Sequence, residues 1–206
     1  MDFAFEISAA GGAVPPALTG MTVQLPAGMG IDVAGVATCA RAALQAHGPR
    51  GCPREAQVGG GSVLVKVPLG EAVRNERAQL AVFSGPRSNG HLTLLFYAAG
   101  RVPIATQLIF SAVIRQGAGG ASIQAGIPLI PTLPDQPDAA IVRLSAILGT
   151  RGRSYERIVR GRRVRFAPPG ITVPRHCPGA GVRFSTALRF DDSSGASAGT
   201  AVACRR

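Results

Sequence analysis

Chemistry at a protein surface needs nucleophiles, carboxylates, metal ligands or clustered charge at workable spacings, and the 206-residue chain is read first for these. A hydrolase elbow would be Gly-x-Ser-x-Gly. The nearest approaches, Ser62 in Gly60-Gly61-Ser62-Val63-Leu64 and Ser122 in Gly120-Ala121-Ser122-Ile123-Gln124, lack the second glycine that lets the elbow turn. A phosphate loop would end in Lys followed by Ser or Thr at the start of a helix, but Lys66 falls within a strand pattern. Gly117-Ala118-Gly119-Gly120 precedes another strand and reads as a turn. Asp135, Asp138, Asp191 and Asp192 sit in turn-forming stretches, where aspartate serves the local backbone. His47, His91 and His176 are far apart in sequence with no recognisable partner. The expectation is a chain without enzymatic activity and without a cofactor, a hydrolase with an unrecognised site being the least favoured alternative.

Two constellations remain. Between Arg151 and Arg165 seven arginines, Arg151, Arg153, Arg157, Arg160, Arg162, Arg163 and Arg165, face one acid, Glu156, for a net +6. Such a cluster has the charge to bind a polyanion, whether an anionic cell-wall polymer, a glycan, lipid head groups or nucleic acid. It also fits a solvated strand pair turning at Gly161. Aromatic residues beside it are limited to Tyr155 and Phe166, too few for base stacking, so no specific nucleic-acid partner is expected. The remaining basicity has a second origin. The whole chain is +11, and 21 of its 22 basic residues are arginine, the usage a GC-rich genome imposes on Ala-, Gly- and Pro-rich sequence. Either way the surface is electropositive.

The second constellation is Cys39, Cys52, Cys177 and Cys204, an even number in two local sets. Spacings of 13 and 27 residues are unlike the close pairs of a zinc site, and neither His47 nor His176 supplies one. Disulfides Cys39–Cys52 and Cys177–Cys204 are expected, the first pinning a helix against the strand that begins after Gly61. They imply an oxidising compartment. The first residues, Met1-Asp2-Phe3-Ala4-Phe5-Glu6, do not form an export leader. The chain is therefore expected to be the C-terminal part of a longer secreted or cell-surface polypeptide with neighbouring domains, the alternative being a cytosolic protein with reduced cysteines. No transmembrane segment is expected, because the apolar region Leu92 to Ile114 is broken by Gly100, Arg101 and Pro103.

The elements that must position these residues are mostly strands. Short runs with period-two alternation, closed by Gly or Pro, recur at Asp2 to Ser8, Thr19 to Leu25, Gly61 to Val67, Gln79 to Phe83, Leu92 to Tyr97 and Ala105 to Ile114. They continue at Ala121 to Ile127, Ala140 to Leu148, Val159 to Phe166, Arg183 to Phe190 and, beyond a turn centred near Ser193, Ala196 to Cys204. Only residues 36–46 favour a helix, stopped by Gly48-Pro49. Four prolines between Ile127 and Pro137 suit a long crossover at a sheet edge. The fold class expected is all-β, a β-sandwich (immunoglobulin-like or jelly-roll-like) of about ten short antiparallel strands in one domain, residues 1–206, with one short helix. A turn centred near Ser193 would set Val182 opposite Cys204 in the final hairpin.

The order Leu25-Pro26-Ala27-Gly28, Cys39, a helical stretch, Gly51-Cys52-Pro53 and Gln57-Val58-Gly59 before a strand resembles an uncharacterised, disulfide-containing all-β module of large secreted proteins from GC-rich bacteria. The close, Thr172-Val173-Pro174-Arg175-His176-Cys177-Pro178, then Phe184, the turn at Asp191 and Cys204-Arg205-Arg206, is similar to how those proteins end. The resemblance implies secretion and β structure and brings no activity with it. Together these readings give an extracellular or cell-surface structural or adhesive module, with polyanion or glycan binding through the arginine cluster as the alternative.

Overall fold

The computed structural model describes residues 1–103, 105–149, 155–168, 170–174 and 176–203, except for the side chain of Arg157. Its strands in chain order are β1 (Asp2–Glu6), β2 (Leu18–Gln24), β3 (Gly30–Asp32), β4 (Gln57–Leu69), β5 (Ala72–Ser88), β6 (His91–Ala99), β7 (Gln107–Arg115) and β8 (Ser122–Gly126). There follow β9 (Ala140–Leu148), β10 (Tyr155–Val159), β11 (Arg162–Phe166), β12 (Gly170–Thr172), β13 (Val182–Phe190) and β14 (Gly195–Val202). The α-helix, α1, spans Arg41–His47. The protein is all-β, as expected.

Ten strands join in one antiparallel sheet in the order β1-β9-β4-β5-β6-β7-β8-β2-β13-β14, while β10 with β11 and β12 with β3 form two-stranded ribbons. The centre, β4 to β8, is a meander of sequential hairpins. Beyond it the order jumps, and the Pro-rich stretch before β9 carries the chain across the sheet from β8 to a place between β1 and β4. The sheet curls. Alternate residues of its strands, such as Val63 and Val65 of β4, Leu94 and Phe96 of β6, Ile123 of β8 and Leu144 of β9, therefore fall into one buried core. At its centre Phe96 and Phe110, directly cross-strand, stack with ring centroids 4.9 Å apart.

The run Thr93 to Ala98 is buried at every position, so β6 is covered on both faces. Its outer face meets a second, smaller core in which Cys39, Leu44, Cys52 and Ala56 cover Phe83, Leu95 and Tyr97. Cys39 and Cys52 are disulfide-bonded with Cα atoms 5.1 Å apart, bracketing α1. The helix thus lies on β5 and β6, not on the strand after Gly61 as expected from sequence. It is also shorter than residues 36–46, because the Cys39 N–H is taken by the Ser84 carbonyl at 2.8 Å and the chain there is still extended. The Arg41 guanidinium donates to the Ile109 carbonyl at 2.9 Å, fixing the helix start over β7.

Other expectations shift in detail. The strands β4 and β5 run well past Gly61 to Val67 and Gln79 to Phe83, closing through the two-residue loop Gly70-Glu71 with Gly70 at φ 66°. Sequence missed the arm because Arg74, Asn75, Glu76 and Arg77 hide its alternation. The run Val159 to Phe166 is not one strand but parts of β10 and β11 around a turn. In the last hairpin Val182 pairs with Val202, two residues from the expected Cys204. The turn centres on Asp192 instead of Ser193, since the Phe190 N–H bonds the Ser194 carbonyl and Ser193 takes a left-handed φ of 67°.

Candidate functional site

The arginine cluster is built on the β10–β11 ribbon. Tyr155 pairs with Phe166 at its base, rings 5.9 Å apart and tilted by 51°. Tyr155 is 1 % exposed, belongs to the main core and donates its hydroxyl to the Gln57 carbonyl at 3.3 Å. One end of the ribbon is thereby anchored in the sheet. The other end is a two-residue loop, Arg160-Gly161, in which both residues have positive φ, 49° and 77°, the geometry that matches the twist of a tight hairpin. Glycine supplies this without strain; Arg160 adopts it at a cost and places a guanidinium at the tip.

Strand alternation divides the side chains. Ile158, Arg163 and Arg165 share the face of Glu156, whereas Arg162 lies on the face of Val159, Val164 and Tyr155. Arg163 and Arg165, about 7 Å apart along β11, reach Glu156 at 3.9 and 3.7 Å. Both guanidiniums remain more than four-fifths exposed. Ion pairs this exposed contribute about 0–1 kcal/mol, so a carboxylate shared between two arginines leaves both available to an external anion. Arg160, Arg162, Arg163 and Arg165 are therefore together on one exposed ribbon. Arg151, Arg153 and the side chain of Arg157 lie outside the described residues, although the Arg157 backbone is on β10 opposite Val164. Sequence reasoning missed the exposed apolar residues of the ribbon, Ile158 on one face and Val159 and Val164 on the other. Their interleaving with arginines was visible, but only the Arg160-Gly161 turn folds it into a hairpin whose two faces both carry arginine and apolar side chains.

The other sequence candidates are dispersed. Ser62 lies in β4 and Ser122 opens β8. The Lys66 ammonium, within β4, donates to the Gly12 carbonyl at 3.3 Å. Gly117 to Gly120 form the β7–β8 turn, closed by the Gly120 N–H on the Gly117 carbonyl. Asp191 and Asp192 lie in the β13–β14 turn, where the Asp192 carboxylate accepts the Ser194 N–H at 2.9 Å. Hydrogen bonds from the Ser194 side chain and backbone hold the Asp192 carboxyl below its ordinary value near 3.8. His91 lies 3.2 Å from the Arg115 guanidinium, His47 ends α1, and His176 lines a groove described below. Among the described residues no group of three or more His, Cys, Asp or Glu side chains could hold a metal ion. Nor is any helix among them long and apolar enough to cross a membrane.

Cys177 is not a free thiol. Its expected bridge to Cys204 lies outside the described residues, because Cys204 does. Comparison of the chain with family models, with curated proteins and with solved structures yields no match.

Proposed function

We propose that the chain is an extracellular or cell-surface structural and adhesive module without catalytic activity, a β-sandwich whose two layers are the facing halves of the curled sheet. The Cys39–Cys52 disulfide carries this reading, since a bridge bracketing a helix that covers β5 and β6 belongs to an oxidising compartment. The resemblance to secreted β modules of GC-rich bacteria supports this reading, in which neighbouring domains share the same polypeptide. Thiol alkylation of protein recovered from the medium or surface of the source cells tests it. Bridged Cys39 and Cys52 are expected; protein found only in the cytosol, with both thiols reactive, rejects the reading.

A second reading, binding of an anionic cell-wall polymer or anionic glycan, is favoured by the four exposed arginines of the β10–β11 ribbon. A rigid ribbon presents charge at lower entropic cost than a free loop, because its backbone is already ordered. Retention on heparin resin that collapses with added salt is the expected result. Elution at the salt concentration of a variant lacking these arginines would return the ribbon to a purely structural role.

A further inference from the structure

Both edges of the curled sheet border one groove, and among the described residues their outward main-chain groups have no strand partner. The groove is about 860 Å³; β1 lines one side and β13–β14 the other, with Val23, Met29 and residues of the stretch 171–177 completing its wall. Phe3 and Phe5 of β1 and Val182 and Phe184 of β13 face into it and are only half-buried. Val202 of β14 also lines it and is 49 % exposed. In a sheet closed on itself these apolar side chains would be covered.

The ladder pattern tells which backbone groups point into the gap. Met1 and Leu148 exchange both hydrogen bonds, and the Ile7 N–H bonds the Val142 carbonyl, so the odd residues of β1 pair with β9. Asp2, Ala4 and Glu6 consequently turn their N–H and C=O groups to the free side. On β14 the Phe190–Ser194 bond sets the phase: Ala196, Ala198, Thr200 and Val202 pair with β13, and Ser197, Gly199 and Ala201 present theirs outward. The β14 edge also lacks the devices that blunt exposed strands. Its sequence, Gly-Ala-Ser-Ala-Gly-Thr-Ala-Val, has no charge and no proline across eight residues.

The size of the groove selects its occupant. One strand residue in a packed sheet fills about 160 Å³, the product of a rise of about 3.3 Å, a strand spacing of about 4.8 Å and a layer spacing of about 10 Å. The groove therefore holds about five, the length of β1. An acyl chain would cover the apolar floor and leave two rows of amides unmet, whereas an extended peptide meets both. We propose that this groove binds an extended segment of a partner polypeptide, about five residues with apolar side chains at alternate positions, by strand addition between β14 and β1. Its inward side chains would cover Phe3, Phe5 and Phe184, and its backbone would continue the ladder. The proposal stands apart from any role of the arginine ribbon.

The probe is the acetylated octapeptide Lys-Thr-Val-Thr-Val-Thr-Val-Lys, titrated into the full chain while amide hydrogen exchange is followed by NMR. Protection is expected to rise at Ser197, Gly199 and Ala201 and at Ala4 and Glu6, with Ala198 and Thr200 unchanged because β13 already holds them. Gly199→Pro removes one outward N–H without touching a β13–β14 bond, and should weaken binding at least tenfold. Gly199→Ala, which keeps the N–H, should bind within about twofold of the parent and reports on any loss of fold. Four outcomes overturn the proposal: no binding of the octapeptide, uniform protection along β14, unchanged affinity in Gly199→Pro, or binding of dodecanoate in place of the peptide. Protection of the same amides that grows with protein concentration and no peptide would assign the edge to a second copy of the chain, and also overturns it.

Discussion

The hydroxyl of Tyr155 donates to the backbone carbonyl of Gln57, joining the first residue of the arginine ribbon to the first residue of β4 across 98 positions of sequence. The bond holds a highly charged hairpin to an apolar core. Replacing Tyr155 with Phe should remove about 1 kcal/mol of stability by losing this bond. Tyr155→Ala should cost about 3–5 kcal/mol, as other buried aromatic truncations do. Urea unfolding measures both. If the ribbon is held mainly here, Tyr155→Ala also accelerates proteolysis between Tyr155 and Phe166, which a core defect elsewhere would not localise.

Substituting Arg160, Arg162 and Arg163 with Gln should flatten the dependence of log affinity for heparin on log salt. The slope should fall by about 0.7 to 0.9 for each arginine that neutralises an anionic group. All three side chains are exposed, so the thermal midpoint should stay within about 2 °C of the parent, since surface changes of this kind stay within about 0.5 kcal/mol.

Opening the Cys39–Cys52 bridge by paired substitution to Ser should cost about 3 kcal/mol, the chain-entropy value for a loop near this length. The loss should fall first on the small core. Exchange of the Leu44 and Cys52 amides should quicken before that of β6, because α1 covers Phe83, Leu95 and Tyr97 from one side only.

The β13–β14 turn should loosen in acid. The Asp192 carboxyl is held below its ordinary range by Ser194, so its stabilising effect is fully present above the unfolded value near 3.8 and is lost as pH falls through the lower folded value. Amide exchange at Ser194 should therefore rise below about pH 4. Asp192→Asn should show the looser turn at neutral pH and no further change in acid. An acid response retained in Asp192→Asn would assign it to other carboxylates.

Most of the sheet was legible in sequence because one face of each strand is wet, which turns burial into alternation, as in Phe3 and Phe5 or Met21 and Val23. Where both faces are covered, as from Thr93 to Ala98, alternation disappears and only a continuous apolar run remains. The contact of α1 with β5 and β6 was therefore hidden. The polar residues Arg74 to Arg77 hid the long arm for another reason: residues 72–75 are all exposed, and the first buried position of β5 is filled by a charged residue, Glu76. Strand order was not legible at all: nothing local in Leu18–Gln24 says that its neighbours are β8 and β13. Of the candidate site, charge and turn were legible and the tether at Gln57 was not. The ten-stranded sheet and the pairing of Cys39 with Cys52 meet the all-β and disulfide expectations.

The jump in strand order after the central meander constrains how the chain acquires its structure. Strands β4 to β8 pair only with sequence neighbours inside the meander, so this block can zip up by short loop closures as soon as residue 126 is available. The outer strands cannot. Strand β1 has no partner until β9 is made some 140 residues later, and β2 lies between β8 and a strand that begins at Val182. During synthesis the N-terminal segment must therefore wait, extended and partly apolar, for most of the polypeptide to emerge. Gly20 to Gln24 can dock on β8 first, which leaves Asp2 to Glu6 as the longest-waiting strand and the place where premature association with other chains is hardest to avoid.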